Sequence, residues 1–463
     1  MIVLRPDQSR LIQDAREQLR THRSVLMQAP TGFGKTCVIT SMLHTVRAKG
    51  KRAIFTVHRQ ELLDQTISTF RAFNLPHGII AAGYTPYLAE PIQIASIDTL
   101  RARLTAGWRI PATDLFAIDE AHHAVSKSWS TVKAYFAAAK VIGASATPSR
   151  LDGRGLASEF DAMVCGPSVA ELMEMGNLSR YRAFAPSAPD MGGVHTRMGD
   201  FVKAETAAVM DKPTITGDAV GHYLRLARDK RAIVFCISIE HSRHVVEKFR
   251  ASGVMAWHLD GETDKGERRQ AVEAFRRGEI QVLSNVDLFG EGFDLPAAEV
   301  CIMLRPTKSL AMYLQQVGRV LRPAPGKTAL ILDHAGNIAR HGLPDDDRAW
   351  SLDGRQSRSR GAADETVIPV RQCPRCYACH RPAPMCPSCG WQYEAQARQV
   401  EQVDGHLEEI DVAAQRRERL AEQAKATTIE ALIKVGRKRG YKSPEKWAAH
   451  LWTARLAKRA PAQ

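Results

Sequence analysis

The chain has 463 residues, enough for two to four domains of ~100–200 residues each. Apolar residues make up 44% and charged residues 25%, ordinary globular usage that excludes a largely disordered, collagen-like or fibrous chain. Sixty-four Lys and Arg against 50 Asp and Glu leave a net +14, which favours a polyanionic partner such as nucleic acid without specifying a fold. The opening MIVLRPDQSR lacks an apolar core of signal-peptide length, and no run approaches the ~18 apolar residues of a membrane span. A cytoplasmic chain with no membrane partner is expected. Its thiols then stay reduced, so the five cysteines between 373 and 389 suit metal binding better than disulfides.

Taken in chain order, short β-rich runs alternate with longer helical patterns from residue 25 to about 333. Strands are predicted at Val25–Ala29, Ala53–Val57, Ile92–Ser96, Leu115–Asp119 and Val141–Ala146. A second set is predicted at Ala232–Cys236, Val254–Leu259, Ile280–Ser284, Val300–Leu304 and Ala329–Leu332. These runs are apolar throughout rather than alternating, the pattern of strands buried on both faces by crossover helices, hence parallel α/β sheets. Two such sets imply two α/β domains in tandem. Residues 165–200, with scattered Pro, Gly and Met, read as a junction, and the polar, charged Leu343–Val370 as an exposed linker.

The first strand leads into PTGFGKT (30–36), a Gly-containing loop followed by a helix start. Backbone N–H groups of such a loop can wrap a triphosphate. Gly32 and Gly34 allow the close approach, Lys35 brings a cation to the β/γ phosphates and Thr36 offers a hydroxyl to Mg²⁺. The full pattern asks for Gly where Ala29 stands. IDEAHH (118–123) closes a neighbouring strand. Asp119 can hold Mg²⁺ opposite Thr36, and Glu120 can orient and deprotonate an attacking water. Together the two motifs indicate a nucleotide hydrolase. In QQVGRVLR (315–322), Gln315, Gly318, Arg319 and Arg322 at i, i+3, i+4 and i+7 are expected on one helical face. That face can bring two guanidiniums across a cleft to the γ-phosphate, completing the site only when the domains close.

These motifs resemble those of the superfamily 2 helicases and translocases, over residues 4 to about 335. LRPDQ (4–8) is similar to the adenine-recognition element, with Gln8 reading the base, and APTGFGKT (29–36), including Thr31, to motif I. VHRQELLDQ (57–65) resembles motif Ia, ASIDTL (95–100) the next strand-contact motif, DEAH (119–122) motif II and SAT (145–147) motif III. IVFCISIEHS (233–242) resembles motif IV, NVDLFGEGFD (285–294) motif V and QQVGRVLR motif VI. Nine motifs in the family's order are far more specific than any one alone. VHRQELLDQ, ATPSRLDG (146–153) and GEGFD look most like the branch containing the bacterial recombination protein RadD and XPB-type DNA translocases, a build shared by phage-borne DEAH helicases.

The resemblance implies two RecA-like lobes, ATP with Mg²⁺, and nucleotide contacts from Gly292 and Asp294 in motif V. It places His58, Arg59, Gln60, Ser96 and Thr99 on the strand-contacting face of lobe one, and Ser238 and Asn285 on that of lobe two. Hydroxyls, amides and backbone N–H groups there suit phosphate contacts without sequence preference. His122 and Gln315 inherit a role coupling the nucleotide site to motif III and the track. His123 reads as a packed histidine.

Cys373-P-R-Cys376 and Cys386-P-S-Cys389 form two CxxC knuckles nine residues apart, a tetrahedral thiolate set of the kind Zn²⁺ prefers. Cys379 and His380 are extra candidates. Trp391 and Tyr393 can pack on the knuckle or stack on bases. Residues 371–463 carry 17 Lys and Arg against 10 Asp and Glu, half of the chain's excess. Tyr441, Trp447 and Trp452 among those charges suit base stacking, while Trp447, Leu451 and Leu456 can equally line a docking helix. The expected divisions are 1–170 for lobe one, 171–340 for lobe two, 341–370 for a linker, 371–393 for a zinc ribbon and 394–463 for a basic helical extension.

The leading expectation is an ATP-dependent helicase or translocase on nucleic acid, DNA more than RNA, in repair, recombination or replication. Protein partners in repair or phage functions belong to the same expectation. The alternatives are a motor subunit of a restriction or phage-defence complex, and a non-catalytic nucleic-acid-binding module.

Overall fold

The computed structural model of the protein describes residues 3–125, 127–150, 153–186, 189–197, 199–289, 297–354, 369–394, 421–441 and 443–459. Strands that are apolar at every position must be covered on both faces, and the first sheet satisfies this. It comprises β1 (Ser24–Gln28), β2 (Ala53–Val57), β3 (Gly78–Ile80), β4 (Ile92–Ser96), β5 (Leu115–Ile118), β6 (Lys140–Ser145) and β7 (Ala162–Cys165). The order is β3-β4-β2-β5-β6-β1-β7, every pair parallel. Each residue of β1, β2 and β5 is buried.

After a two-stranded ribbon, β9 (Thr196–Arg197) with β10 (Asp200–Phe201), the second sheet uses β11 (Ala232–Phe235), β12 (Ala256–Leu259), β13 (Val282–Asn285), β14 (Val300–Met303) and β15 (Ala329–Asp333). It also recruits β8 (Tyr181–Phe184), β16 (Arg371–Gln372) and β17 (Ala378–His380), in the order β12-β13-β11-β14-β15-β8-β17-β16. Pairing is parallel as far as β8, then antiparallel through β17 and β16. The cysteine-bearing hairpin thus extends the sheet of lobe two.

Three features depart from the sequence reading. The extra strands β3, β7 and β8 are short and half-covered, so they lack the continuous apolar run that marks a central strand. The stretch 165–200, read as a junction, supplies β8. The stretch read as an exposed linker is packed from Leu343 to Gly354. There Arg348 donates to the carbonyls of His341, Leu343, Pro344 and Asp346. The Leu352 carbonyl accepts from Leu156 N (2.7 Å) and Ala157 N (3.0 Å), and Gly354 bridges Arg154. This strap runs from lobe two back to lobe one; its charges are satisfied by backbone, which hydrophobic patterning does not reveal.

The chain divides into two compact units, Met1–Glu394 and Ala395–Gln463. In the second, the helices Ile429–Lys438 and Pro444–Arg459 pack around Leu432 and Ala448, with Trp447, Leu451 and Trp452 against that small core. Gly436 lets Trp447 and Pro444 come close. Glu422 pairs with Lys438 and Arg439, and Glu445 with Arg437, each at 2.8 Å. The side chain of Leu456 and residues 395–420 of the expected helical extension lie outside the described residues. No described helix is long and apolar enough to cross a membrane.

Candidate active site

Parallel strands put their C-terminal ends, and the loops after them, along one edge of each sheet. At that edge of lobe one, β1 runs into the Ala29–Gly34 loop and the helix Lys35–Ala48. Gly32 and Gly34 have φ of 91° and 90°, a conformation that side-chain-bearing residues rarely adopt. The loop is braced from the chain start: Gln8 Nε2 donates to Phe33 O (2.9 Å) and Gln8 Oε1 accepts from Arg5 N (3.1 Å). Arg5 also donates to Phe33 O and pairs with Asp7. Gln8 is buried, its amide joining the loop at Nε2 to the Arg5 backbone at Oε1.

Lys35 Nζ donates to Ala29 O (3.1 Å) and Pro30 O (3.4 Å). Burial lowers its pKa, opposed by the charges of Glu120 and Asp119 and reinforced by those of Arg319 and Arg322. Charges from the acidic pair of lobe one and the arginine pair of lobe two thus act on one ammonium. Asp119 is buried at the end of β5, and its carboxyl is pushed up to about 6 by desolvation and by the neighbouring Glu120 charge. Glu120 has φ 46°, a left-handed strain of about 1–3 kcal/mol for a non-glycine residue, and its N–H donates to Asp119 Oδ1 (3.0 Å). A mutually repelling carboxylate pair, buried at Asp119 and partly exposed at Glu120, is a donor set suited to a divalent cation beside a phosphate loop.

Behind the acidic pair, His122 Nδ1 lies 3.4 Å from Glu120 Oε2 and 3.2 Å from Ser145 Oγ, which donates to Thr147 O (2.7 Å). Motif II therefore touches motif III directly. Opposite, the helix Leu310–Gly318 carries Gln315, which is buried, and ends with Arg319 as its cap. Here the structure corrects the sequence reading. The four residues do not share one continuous helical face, because Gly318 ends the helix and Pro323 disfavours helical geometry at Arg322. Arg322 arrives on the following turn, its carbonyl held by Ser179 Oγ (3.1 Å) and Lys327 Nζ (2.9 Å), and burial lowers its guanidinium pKa to about 10. A Cβ on Gly318 would stand 2.6 Å from Thr31 Cβ, so the two lobes meet backbone against loop. A cavity of about 230 Å³ opens beside this contact, lined by Thr31, Gly318, Leu321, Asp346, Arg348 and Trp350 among others. Gly292 and Asp294 lie outside the described residues.

The remaining residues expected to contact the strand lie at or after C-terminal strand ends. His58, Arg59 and Gln60 follow β2, with Gln60 Nε2 bonded to Asp64 Oδ1 (3.2 Å), and Ser96 caps the helix Ile97–Thr105 that holds Thr99. Ser238 caps the helix Ile239–Ala251, accepting from His241 N. Asn285 is buried, its Nδ2 donating to Val234 O (2.7 Å) and its Oδ1 accepting from Phe289 N (3.2 Å), so its side chain orders lobe two from within. Sequence reasoning missed the links across the lobes here. Arg59 Nη1 donates to Asp287 O (3.4 Å) and Arg268 pairs with Glu61 at 2.6 Å. Partners some 200 residues apart leave no local signal.

Cys373, Cys376, Cys386 and Cys389 place their sulfurs within 4.8 Å of one another, with Cys373–Cys389 at 3.7 Å and Cys376–Cys386 at 3.8 Å. A tetrahedron with metal–sulfur bonds of ~2.3 Å has edges of about 3.8 Å, so the four thiolates fit one ion. Cys379 Sγ turns to Tyr377 O and His380 Nε2 to the Tyr393 hydroxyl (2.8 Å); neither joins the cluster. Tyr393 packs beneath Arg371, and Trp391 is exposed.

Residues 1–150 match the family model for the type III restriction enzyme res subunit, and 216–324 that for the helicase conserved C-terminal domain. A 51.5 kDa protein of a Lactococcus phage is 31% identical over 388 residues, 83% of this chain and 82% of the relative. The chain belongs to the superfamily 2 helicases. This helicase is also 24% identical to the DNA 3'-5' translocase XPB2 of Sulfurisphaera tokodaii, over 68% of the chain and 78% of that protein. Among solved structures, a fragment of an HsdR subunit of a type I restriction enzyme from Vibrio vulnificus shares the fold. Its TM-score is 0.58 at 22% identity, over 73% of this chain and 65% of that one. The helicase is an ATP-hydrolysing enzyme acting with nucleic acid, which sets aside the non-catalytic alternative.

Proposed function

We propose that the protein is a DNA translocase or helicase in which ATP, bound on the loop of lobe one, is cleaved only when lobe two contributes its arginines. The observation that carries this is the contact between the lobes itself, Gly318 beside Arg319 standing against Thr31 of the phosphate loop, and the charges of both lobes act on Lys35 in keeping with it. In this reading Thr31, Gly32, Gly34 and Lys35 cradle the phosphates, with Gln8 bracing the loop. Thr36 and Asp119 are the residues that would hold Mg²⁺, whose charge offsets that of the triphosphate. Glu120 accepts the proton of the attacking water, and Arg319 and Arg322 offset charge on the transferring phosphoryl group. Gln315 connects this chemistry to motif III. His58, Arg59, Gln60, Ser96, Thr99 and Ser238 grip the phosphate backbone without reading bases. The cysteine set holds a structural zinc, because four thiolates leave no open position for catalysis. DNA is favoured over RNA by the likeness to an enzyme named as a DNA translocase. A role in repair, recombination or replication is part of the proposal.

ATP turnover titrated with single-stranded DNA, duplex, forked DNA and RNA, with strand separation scored on the same substrates, tests this. DNA is expected to stimulate turnover most, and Lys35→Ala or Glu120→Gln to abolish it. Equal rates with and without nucleic acid would overturn the reading. A second reading, the motor subunit of a restriction or phage-defence assembly, draws on the res-subunit match of residues 1–150. Co-purification of a stoichiometric nuclease or methyltransferase subunit would favour it.

A further inference from the structure

We propose that His123 is a positioning residue that transmits the state of the DEAH turn to the strand-facing segment His58–Gln60. Three imidazoles form a row: the His122 and His123 ring centroids are 4.2 Å apart at 41°, and those of His123 and His58 are 4.3 Å apart at 45°. One end of the row meets the hydrolytic site, since His122 Nδ1 lies 3.4 Å from Glu120 Oε2 and 3.2 Å from Ser145 Oγ. The other end meets the track and the second lobe. His58 directly precedes Arg59, which donates to the Asp287 carbonyl of lobe two, and Glu61 two residues on pairs with Arg268 of lobe two.

His122 is buried and His123 half-buried, so the row is close-packed at its inner end. Packed rings do not compress; a shift of one is passed to the next or resisted by it. Glu120 sits in a left-handed backbone conformation, as does Asp287 at the far end with φ 54°. The inner end of the row therefore adjoins a turn held away from its relaxed geometry, and Arg59, next in the chain after the outer ring, reaches a second such turn. When the DEAH turn adjusts as ATP is cleaved, His122 moves with Glu120, and His123 carries that displacement to His58. In the reverse direction, a strand seated on His58–Gln60 sets the His123 ring and through it the orientation of His122 and Glu120. The coupling is steric and needs no proton transfer along the row. This gives His123 a task that a merely packed histidine lacks.

The inference rests on the reading of the cleft as a nucleic-acid-stimulated ATPase, and one experiment separates the two. ATP turnover is measured without nucleic acid and with saturating single-stranded oligodeoxynucleotide, for the parent, His123→Ala, His123→Asn and His123→Phe. His123→Ala and His123→Asn are expected to lower the ratio of stimulated to unstimulated kcat by about tenfold, within the 5–150-fold range typical of coupled sites. KM for ATP and the thermal midpoint stay at parental values. His123→Phe, which keeps a flat ring in the row, retains most of the stimulation. A parental ratio in both His123→Ala and His123→Asn overturns the relay alone. So does an equal fall of stimulated and unstimulated rates, which marks a structural role. No stimulation of the parent by any nucleic acid overturns the functional reading, and the relay with it.

Discussion

Gly318→Ala isolates the contact between the lobes from the stability of either one. Gly318 closes the helix Leu310–Gly318 and has no left-handed φ, so alanine suits its backbone. By helix propensity alone the change favours lobe two by up to about 1 kcal/mol. Across the cleft the effect is opposite. The new Cβ would lie 2.6 Å from Thr31 Cβ and 2.7 Å from Thr31 Cγ2, against an optimal carbon–carbon separation of about 3.5–4.0 Å. Relief requires the arginine-bearing turn and the phosphate loop to part by about 1 Å. A misplacement of that size at a reacting centre costs ~10²-fold in rate, or about 2.7 kcal/mol of barrier. Stimulated kcat for ATP is the assay, with thermal unfolding run alongside. The expected result is a fall of ~10² in kcat with an unchanged or raised melting temperature. Parental kcat in a folded Gly318→Ala protein would refute the argument that the lobes must close on this contact.

Cys386→Ser, or treatment with a strong chelator, should release about one zinc per chain and lower the melting temperature of lobe two, since the cysteine hairpin completes its sheet through β17. Metal analysis and calorimetry check both. Leu352→Asp places a charge where the strap packs on the core of lobe one, and should cost about 2–4 kcal/mol by denaturant unfolding and expose residues 343–354 to protease. Asp161 accepts from Ser24 Oγ and N and from Arg23 N, which hold its pKa below the ordinary value and pin β7 beside β1. Because the folded pKa is depressed, the stabilisation is present above the unfolded carboxylate pKa and fades as pH falls through the folded one. Asp161→Asn should flatten that acid limb of the stability–pH profile.

Much of this architecture is legible in the chain because parallel strands between helices must be apolar on both faces. Val25–Ala29 and Ala53–Val57 announce themselves, and GKT and DEAH follow strands as phosphate and cation chemistry requires. What escapes is either short or distant. Tyr181–Phe184 includes Arg182 and covers only part of its faces, so β8 hides within a stretch that reads as a junction. The strap hides because Arg348 is satisfied by backbone carbonyls, so a charged sequence is compatible with packing. Asn285 and Gln8 show a further limit. Their residue types suit ligand contact, yet each spends its amide bracing backbone, which composition cannot distinguish. The pairing of His123 with His58, 65 positions away, has no local signature.

The central claim is that the catalytic site is shared between the lobes, and the rate of hydrolysis of bound ATP by Arg319→Ala and Arg322→Ala measures it directly. With nucleic acid saturating, each variant is predicted to bind ATP near the parental affinity while hydrolysing it ~10³–10⁵ times more slowly. Hydrolysis at the parental rate by either variant would contradict a site completed by lobe two.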